Sequence, residues 1–405
     1  MIDLNSRCAL EHFAGHEVVR IVIRLDGIFV LAAASELAKA ERIGRLRSKL
    51  RHGVPLAAAS IAHGGGVPSH AAHAGFADQG LQLQLLALCE IDEGYVEQSL
   101  IANEVNTDRT LNLCAPVQEV VQDDWIMQKL PRVEVLEMGL PCSGASRAGK
   151  SKRGLAMMEN HPEVGHLVHA ALVLIQRLQP AVIVLENVED YAASASAQIL
   201  RLQLRDMGYE VHEHVLRAQD YGCLENRVRW TLVATTAGMP PLEVLPAPVD
   251  ATKAVLGALL EPVDPQSPAW SELAYLKTKA ERDREAGKGF AMQVVDEMAT
   301  SVPTIRKAYN KGGSTDPYVR HPTRPELLRK FLPVEHARIK GVPTHLVEGL
   351  AATSAHEVLG QGIAYAPFRA LFGELARCML ALKEEGAAPS VIPASAAQRL
   401  NISTG

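Results

Sequence analysis

Aromatic residues are scarce, at 4% of the 405 residues, although hydrophobic side chains as a whole make up 47%. A sizeable core is therefore available, which excludes a disordered linker chain. Leu, Val, Ile and Ala must fill it, as they do where helices pack on parallel strands. Cysteine is also sparse. The six cysteines stand at 8, 89, 114, 142, 223 and 378, with no C-x-x-C pair and no histidine at zinc-ligand spacing. The expectation is free thiols in a reducing cytoplasm and no metal centre. The first residues lack the charged-then-apolar pattern of a secretory signal, and no apolar run approaches the length of a membrane span. The charge imbalance is small, a net −5. That argues against a protein that coats nucleic acid uniformly and leaves room for a locally basic cleft.

Residues 17–34 read as a hairpin: apolar Val18 to Leu25, an Asp26-Gly27 pair, then Ile28 to Leu31. A helix capped by Ser35 is expected next, with Leu37, Ala40, Ile43, Leu46 and Leu50 on one face. Lys39, Arg42, Arg45, Arg47, Lys49 and Arg51 cover its remaining surface. That surface reads either as a solvated face or as a phosphate-contacting or self-associating arm. From residue 56 the pattern alternates strand, turn and helix up to Trp230–Ala234, which predicts an α/β fold with a doubly wound, mostly parallel sheet. Seven prolines between 240 and 268 mark a boundary. Residues 271–345 then carry fourteen Lys and Arg against nine Asp and Glu, a basic stretch inside an acidic chain. The segment after residue 356 is helical and alanine-rich, and loses its pattern after about residue 386.

Open parallel sheets bind ligands beyond the C-terminal ends of their strands, so residues at those ends carry the chemistry. Gly64-Gly65-Gly66 follows the first strand and would let backbone approach a ligand, or would simply make a tight turn. Glu90 ends the next strand, where an acid can accept both hydroxyls of a ribose. Val133–Met138 reads as a buried strand leading to Gly139-Leu140-Pro141-Cys142. Cys142 is either a buried structural thiol or a nucleophile, because Arg147, Lys150, Lys152 and Arg153 follow and nearby cations lower a thiol pKa. Those cations would also hold phosphates, unless the loop is only a solvated one. Ala181–Leu185 ends in Glu186-Asn187: an acid in a dry crevice can hold a proton near neutrality, and Asn187 can fix the loop. Alternation puts Arg227 and Arg229 on one side, for substrate contact or for a structural salt bridge.

Taken in order, these motifs resemble the DNA cytosine-5 methyltransferase family. Ile61-Ala62-His63-Gly64-Gly65-Gly66 is similar to its cofactor loop, Cys89-Glu90-Ile91-Asp92 to its ribose-binding strand end, and Leu140-Pro141-Cys142-Ser143 to its nucleophile loop. Glu186-Asn187-Val188 resembles the carboxyl motif and Asp220 through Arg229 the arginine motif. Pro333–Pro343 resembles the motif after the target-recognition region, and Val358–Ile363 the closing cofactor motif. The chain departs from the pattern at Ile61 and His63, where an aromatic and a glycine are usual. It departs again at Ala115-Pro116-Val117, which lacks the adenine-binding acid, and at Ser143, Glu225 and Gln361.

The resemblance implies that the Cys142 thiolate adds to C6 of cytosine while Glu186 bonds to N3, with Arg229 and Arg227 on the base carbonyl, and that C5 then takes the methyl of S-adenosylmethionine. The implied cofactor residues are Ile61, Ala62, Gly64, Gly65, Gly66, Glu90, Ile91, Pro141, Gly360 and Gln361. The implied DNA contacts are Ser143, Ser146, Arg147, Lys150, Lys152 and Arg153, on double-stranded DNA with the base flipped out. The implied organisation is an N-terminal extension (1–55), a catalytic cofactor-binding domain (56–237), a target-recognition region (238–332), a segment returning to the catalytic domain (333–385) and a tail (386–405). A cytoplasmic monomer of restriction-modification type is expected, without membrane association. The alternatives are the same reaction on RNA such as tRNA, or a non-catalytic DNA-binding relative with a degraded cofactor site.

Overall fold

The computed structural model describes residues 19–25, 27–141, 157–242, 254–287 and 292–384. Strands β1 (Val19–Arg24) and β2 (Gly27–Ala32) form the expected antiparallel hairpin. Arg24 pairs with Gly27, so this glycine opens the second strand instead of sitting in the turn. Helix α1 (Ala34–His52) starts two residues earlier than a Ser35 cap would place it. Its N-cap is Ala33, and no side chain caps it.

The main sheet contains β3 (Leu56–Ile61), β4 (Leu83–Glu90), β5 (Leu111–Cys114), β6 (Val135–Met138), β7 (Val182–Asn187), β8 (Tyr209–Arg217) and, after the short β9 (Glu225–Asn226), β10 (Val228–Thr236). Their order is β5-β4-β3-β6-β7-β10-β8. The first five are parallel, and β10 runs antiparallel to both β7 and β8. The doubly wound, mostly parallel expectation is therefore met, and the winding reverses between β3 and β6. Strand β3 is largely alanine, a weak strand former, yet all six of its positions are buried. Along β7, Val182 and Val184 enter one apolar cluster with Phe76 and Phe372, while Ile183 and Leu185 enter the other with Leu174 and Leu200. That two-sided alternation is why a parallel strand reads as one continuous apolar run.

Helices α2 (Val67–Asp78), α3 (Glu93–Ala102), α4 (Leu167–Leu178) and α5 (Ala195–Asp206) connect the strands. The described part of 254–339 is built around a third apolar cluster of Leu256, Val302, Ile305, Tyr309 and Phe331, which Leu224 joins. It contains α6 (Ala274–Glu285), a small sheet of β11 (Gln293–Val295), β13 (Pro317–Arg320) and β14 (Leu328–Arg329), and β12 (Val302–Pro303), which pairs with β9. The chain returns through α7 (Pro333–Ile339), α8 (Ala352–Gln361) and α9 (Tyr365–Glu384). Helix α9 crosses α2 closely, since a Cβ at Gly75 would lie 2.4 Å from the Arg369 carbonyl oxygen. Among the described residues no helix is long and apolar enough to cross a membrane.

Three of the six cations on α1 depart from the sequence reading. Arg42 is buried, donating to Thr236 Oγ1, Gln179 Oε1 and the carbonyls of Met207 and Gly208, with its guanidinium 4.0 Å from the Tyr209 ring centroid. Arg45 Nε and Lys49 Nζ reach the fully buried Glu134 carboxylate at 2.7 and 2.6 Å. Glu134 Oε2 also accepts from the Ala57 amide at 2.7 Å. These three cations thus dock the helix on the sheet, and they are not available to phosphates. Removing one partner of a buried ion pair strands the others. Glu134→Ala should therefore lower unfolding free energy by about 3 kcal/mol, read from urea denaturation.

Candidate active site

The strand ends that the sequence singled out converge on one crevice at the reversal of the sheet. Backbone geometry shapes the loop after β3: Gly64 and Gly66 have φ of 57° and 77°, and Ala62 has φ 56° without being glycine. A left-handed non-glycine residue costs about 1–2 kcal/mol, held here by the surrounding contacts. The bare glycine backbone is used mainly for packing. A Cβ at Gly65 would meet Val358 Cγ1 at 2.6 Å, and one at Gly66 would meet Asn103 Nδ2 at 2.3 Å. Gln361 Nε2 lies 3.1 Å from where a Gly64 Cβ would stand, so the closing motif covers the glycine loop. The Ile61 side chain is buried in the core with Met138 and Leu140, which leaves its backbone at the crevice, where its carbonyl accepts from the Gly139 amide.

Glu90 closes β4. Its Oε2 accepts from the Gly64 amide at 2.7 Å, and its Oε1 accepts from the Ile91 and Asp92 amides at 2.9 and 3.1 Å. One carboxylate thereby fixes both its own strand end and the glycine loop. Beside it Ile91 is 66% exposed, an isolated apolar surface next to the exposed Cys114 of β5.

Glu186 lies in β7, and its Oε1 is 2.6 Å from Arg229 Nε of β10; both side chains are less than one-fifth exposed. Oε2 lies on the side of Gly139. Asn187 Nδ2 donates to the Leu140 carbonyl at 3.1 Å, and its Oδ1 accepts from the Val188 amide. This asparagine ties the carboxyl strand to the segment ending at the exposed Pro141. Cys142, Ser143, Ser146, Arg147, Lys150, Lys152 and Arg153 lie outside the described residues.

The two arginines divide. Arg229 faces the crevice acid, whereas Arg227 is buried, with Nη2 donating to the Gly360 and Gln361 carbonyls at 3.3 Å and Nη1 3.6 Å from Glu225 Oε1. Lys340, also fully buried, donates to the Leu359 carbonyl and, at 2.9 Å, to that of Gly362, and it lies 3.6 Å from Glu225 Oε2. The basic stretch is likewise divided. Arg329 is buried in a bidentate pair with Glu335 at 2.7 and 2.8 Å, while Arg282, Arg284 and Lys311 are exposed.

Comparison with solved structures first gives the class. Schizosaccharomyces pombe Dnmt2 methyltransferase (S. pombe) superposes with a TM-score of 0.60 at 16% identity, covering 80% of this chain and 98% of that one. Spodoptera frugiperda DNMT2 gives 0.59, also at 16% identity, over 80% and 99%. The fold is that of S-adenosylmethionine-dependent methyltransferases. The description "C-5 cytosine-specific DNA methylase" matches residues 101–377, and the chain belongs to that family. Among its relatives, type II methyltransferase M.NlaX of Neisseria lactamica is 27% identical over 272 residues, which is 66% of this chain and 82% of the relative. Type II methyltransferase M1.ScrFI of Lactococcus lactis subsp. cremoris is 25% identical over 251 residues, covering 60% of this chain and 62% of the relative.

His63, one of the departures from the family pattern, is buried beneath the glycine loop. Its Nδ1 is 2.7 Å from Ser60 Oγ and its Nε2 is 2.8 Å from Ser99 Oγ, and burial pushes its pKa down to about 3, so the ring is neutral. Ser69 Oγ, 3.4 Å from the same Nδ1, donates to Glu137 Oε1 at 2.7 Å. The sequence reading named His63 only as a departure and missed the rest of this polar layer, whose other legible signal was an acid inside the apolar run of β6. Burial, reinforced by the charge of Glu186, pushes Glu137 up from 4.5 to about 7 against the opposing hydrogen bonds from Ser60 and Ser69. Between those pH values the folded chain holds a proton that the unfolded chain has released, so stability falls as pH rises through the window. Glu137→Gln mimics the protonated form. Wild type should lose on the order of 3 kcal/mol relative to this variant between pH 4.5 and 7.5, measured as the difference in denaturation midpoints; a constant difference would refute the assignment.

Proposed function

We propose that this chain transfers a methyl group from S-adenosylmethionine to C5 of cytosine in double-stranded DNA, through a covalent bond between Cys142 and C6 of a flipped-out base. The observation that carries this reading is the Glu186–Arg229 pair at the end of β7, joined through Asn187 to the backbone two residues before Cys142. A carboxyl, a guanidinium and the segment that leads to Cys142 are thereby brought together.

C5 of cytosine is a weak nucleophile. Addition of the Cys142 thiolate to C6 moves an electron pair through the ring toward N3, where Glu186 hydrogen-bonds or delivers a proton. Arg229 holds Glu186 in place and stabilises charge on the base carbonyl. C5 then carries the electron pair that forms the new carbon–carbon bond. Loss of the C5 proton and departure of the Cys142 sulfur restore the aromatic ring, so that one hard step is divided into easier ones. Arg227 enters this reading as a positioning residue, because its donors are directed to Gly360 and Gln361.

The crevice residues fit the cofactor. Glu90 retains acceptor capacity beyond its three amide bonds for ribose hydroxyls. The exposed Ile91 offers an apolar face to a purine, and Gln361 with Gly64 borders the same space. Ala62 and Pro141 complete that lining in this reading, whereas the expected contacts of Gly65, Gly66 and Gly360 are corrected to packing against Val358, Asn103 and the Arg306 backbone. S-adenosylmethionine supplies an electrophilic methyl when bound. Residues 56–237 with 333–385 form the catalytic part and 238–332 the target-recognition part. Phosphate contacts come from the loop carrying Ser143, Ser146, Arg147, Lys150, Lys152 and Arg153, and from exposed cations such as Arg282 and Lys311. A cytoplasmic location belongs to the same reading.

Duplex DNA containing 5-fluorocytosine should trap the wild-type chain in a denaturation-resistant complex that Cys142→Ser does not form. Trapping by the Ser variant, or none by wild type, would overturn the assignment, and trapping on tRNA alone would move the substrate to RNA. Glu90→Ala should weaken S-adenosylmethionine binding at least tenfold in calorimetry, and unchanged affinity would remove Glu90 from the cofactor site.

A further inference from the structure

Away from the crevice, three side chains from distant parts of the chain meet. His70 lies in the first turn of α2, Glu104 follows α3, and His345 lies in the short turn Thr344–Val347 after α7. His70 Nε2 is 2.9 Å from Glu104 Oε1 and His345 Nε2 is 3.1 Å from Glu104 Oε2, and the three donor atoms all lie within 4.8 Å of one another. Zinc bound at about 2.0–2.1 Å requires tetrahedral donors about 3.3 Å apart, so adjustments of about an ångström would complete three coordination positions.

Further features favour a cation over a simple hydrogen-bonded cluster. The His70 side chain is 11% exposed, and its Nδ1 is held 2.6 Å from the Tyr365 hydroxyl of α9. A metal-bound histidine usually has its second nitrogen oriented in this way, and a hydroxyl can either donate to or accept from that nitrogen. Glu104 and His345 are 62% and 47% exposed, so an ion can enter from solvent. An open cleft of about 420 Å³, lined by His70, His73, Ala74, Glu104 and Thr107, borders two of the three ligands. The neighbouring Arg369 does not oppose this, because Asp78 holds it at 2.7 Å through both carboxylate oxygens. His73 turns its Nδ1 to the Ser69 carbonyl.

We propose that His70, Glu104 and His345 bind a divalent transition ion of the zinc class, which staples α2, the connection after α3 and the segment after α7. Two neutral imidazoles and a carboxylate select such an ion over magnesium or calcium. The site's role is structural and does not depend on the catalytic reading. The sequence excluded a metal on local spacing, and these ligands are separated by 34 and 241 residues.

The test uses the full chain stripped with chelator. Cobalt(II) should bind at one equivalent with visible absorption bands that zinc displaces, and saturating zinc should raise the thermal midpoint by several degrees. A double variant, Glu104→Gln with His345→Ala, alters only exposed groups and should keep the metal-free midpoint close to wild type. It should lose both the bands and the zinc-dependent rise. Absence of stoichiometric binding by wild type would overturn the proposal. So would bands and midpoint shift that survive in the double variant, which would assign the metal to cysteines or other histidines.

Discussion

The C-terminal end of α8 is held by charge. The last carbonyls of a helix have no partner within it, and here four in succession, Leu359 through Gly362, are met by two buried cations. Cations suit the negative end of a helix, but burying two together is costly unless a counter-charge accompanies them. Glu225 supplies it, lying 3.6 Å from both Arg227 and Lys340 and accepting from the Ile305 amide at 3.0 Å. Burial and the adjacent Arg227 push the Lys340 pKa down to about 7.

Much of the site depends on that clamp, because α8 touches three segments at once. Val358 occupies the space above Gly65, and Gln361 borders Gly64. Gly360 packs so closely on the backbone of Arg306 and Lys307 that a Cβ would lie 2.4 Å from it. Arg227 itself stands two residues before Arg229, the partner of Glu186. The glycine loop, the Glu186–Arg229 pair and the basic region are therefore connected through one helix end. A shift of α8 would be felt in all of them, which is how a site assembled from separate loops keeps its geometry.

The sequence made the parallel strands and their ends legible, because two-sided burial produces continuous apolar runs and the acids that close them, Glu90 and Glu186, stand out. Depth was not legible. Alternation places Arg227 and Arg229 on one side, but only the return of α8 buries the first and leaves the second at the crevice. Arg42, Arg45 and Lys49 looked like a solvated face because the acid that receives two of them, Glu134, lies 85 and more residues away. The His70–Glu104–His345 cluster was hidden for the same reason. Local spacing carries no information about contacts that the sheet order creates.

The departures from the family pattern gain meaning from the same contacts. Glu225, where the family pattern has glutamine, is the carboxylate that two buried cations require; a neutral amide there would leave both uncompensated. His63, where a glycine is usual, fills a pocket furnished by Ser60 and Ser99, hydroxyls able to meet both ring nitrogens. Glu225 and His63 thus each come with partners from other parts of the chain. At these two positions the departure from the family pattern is built into the packing of the chain.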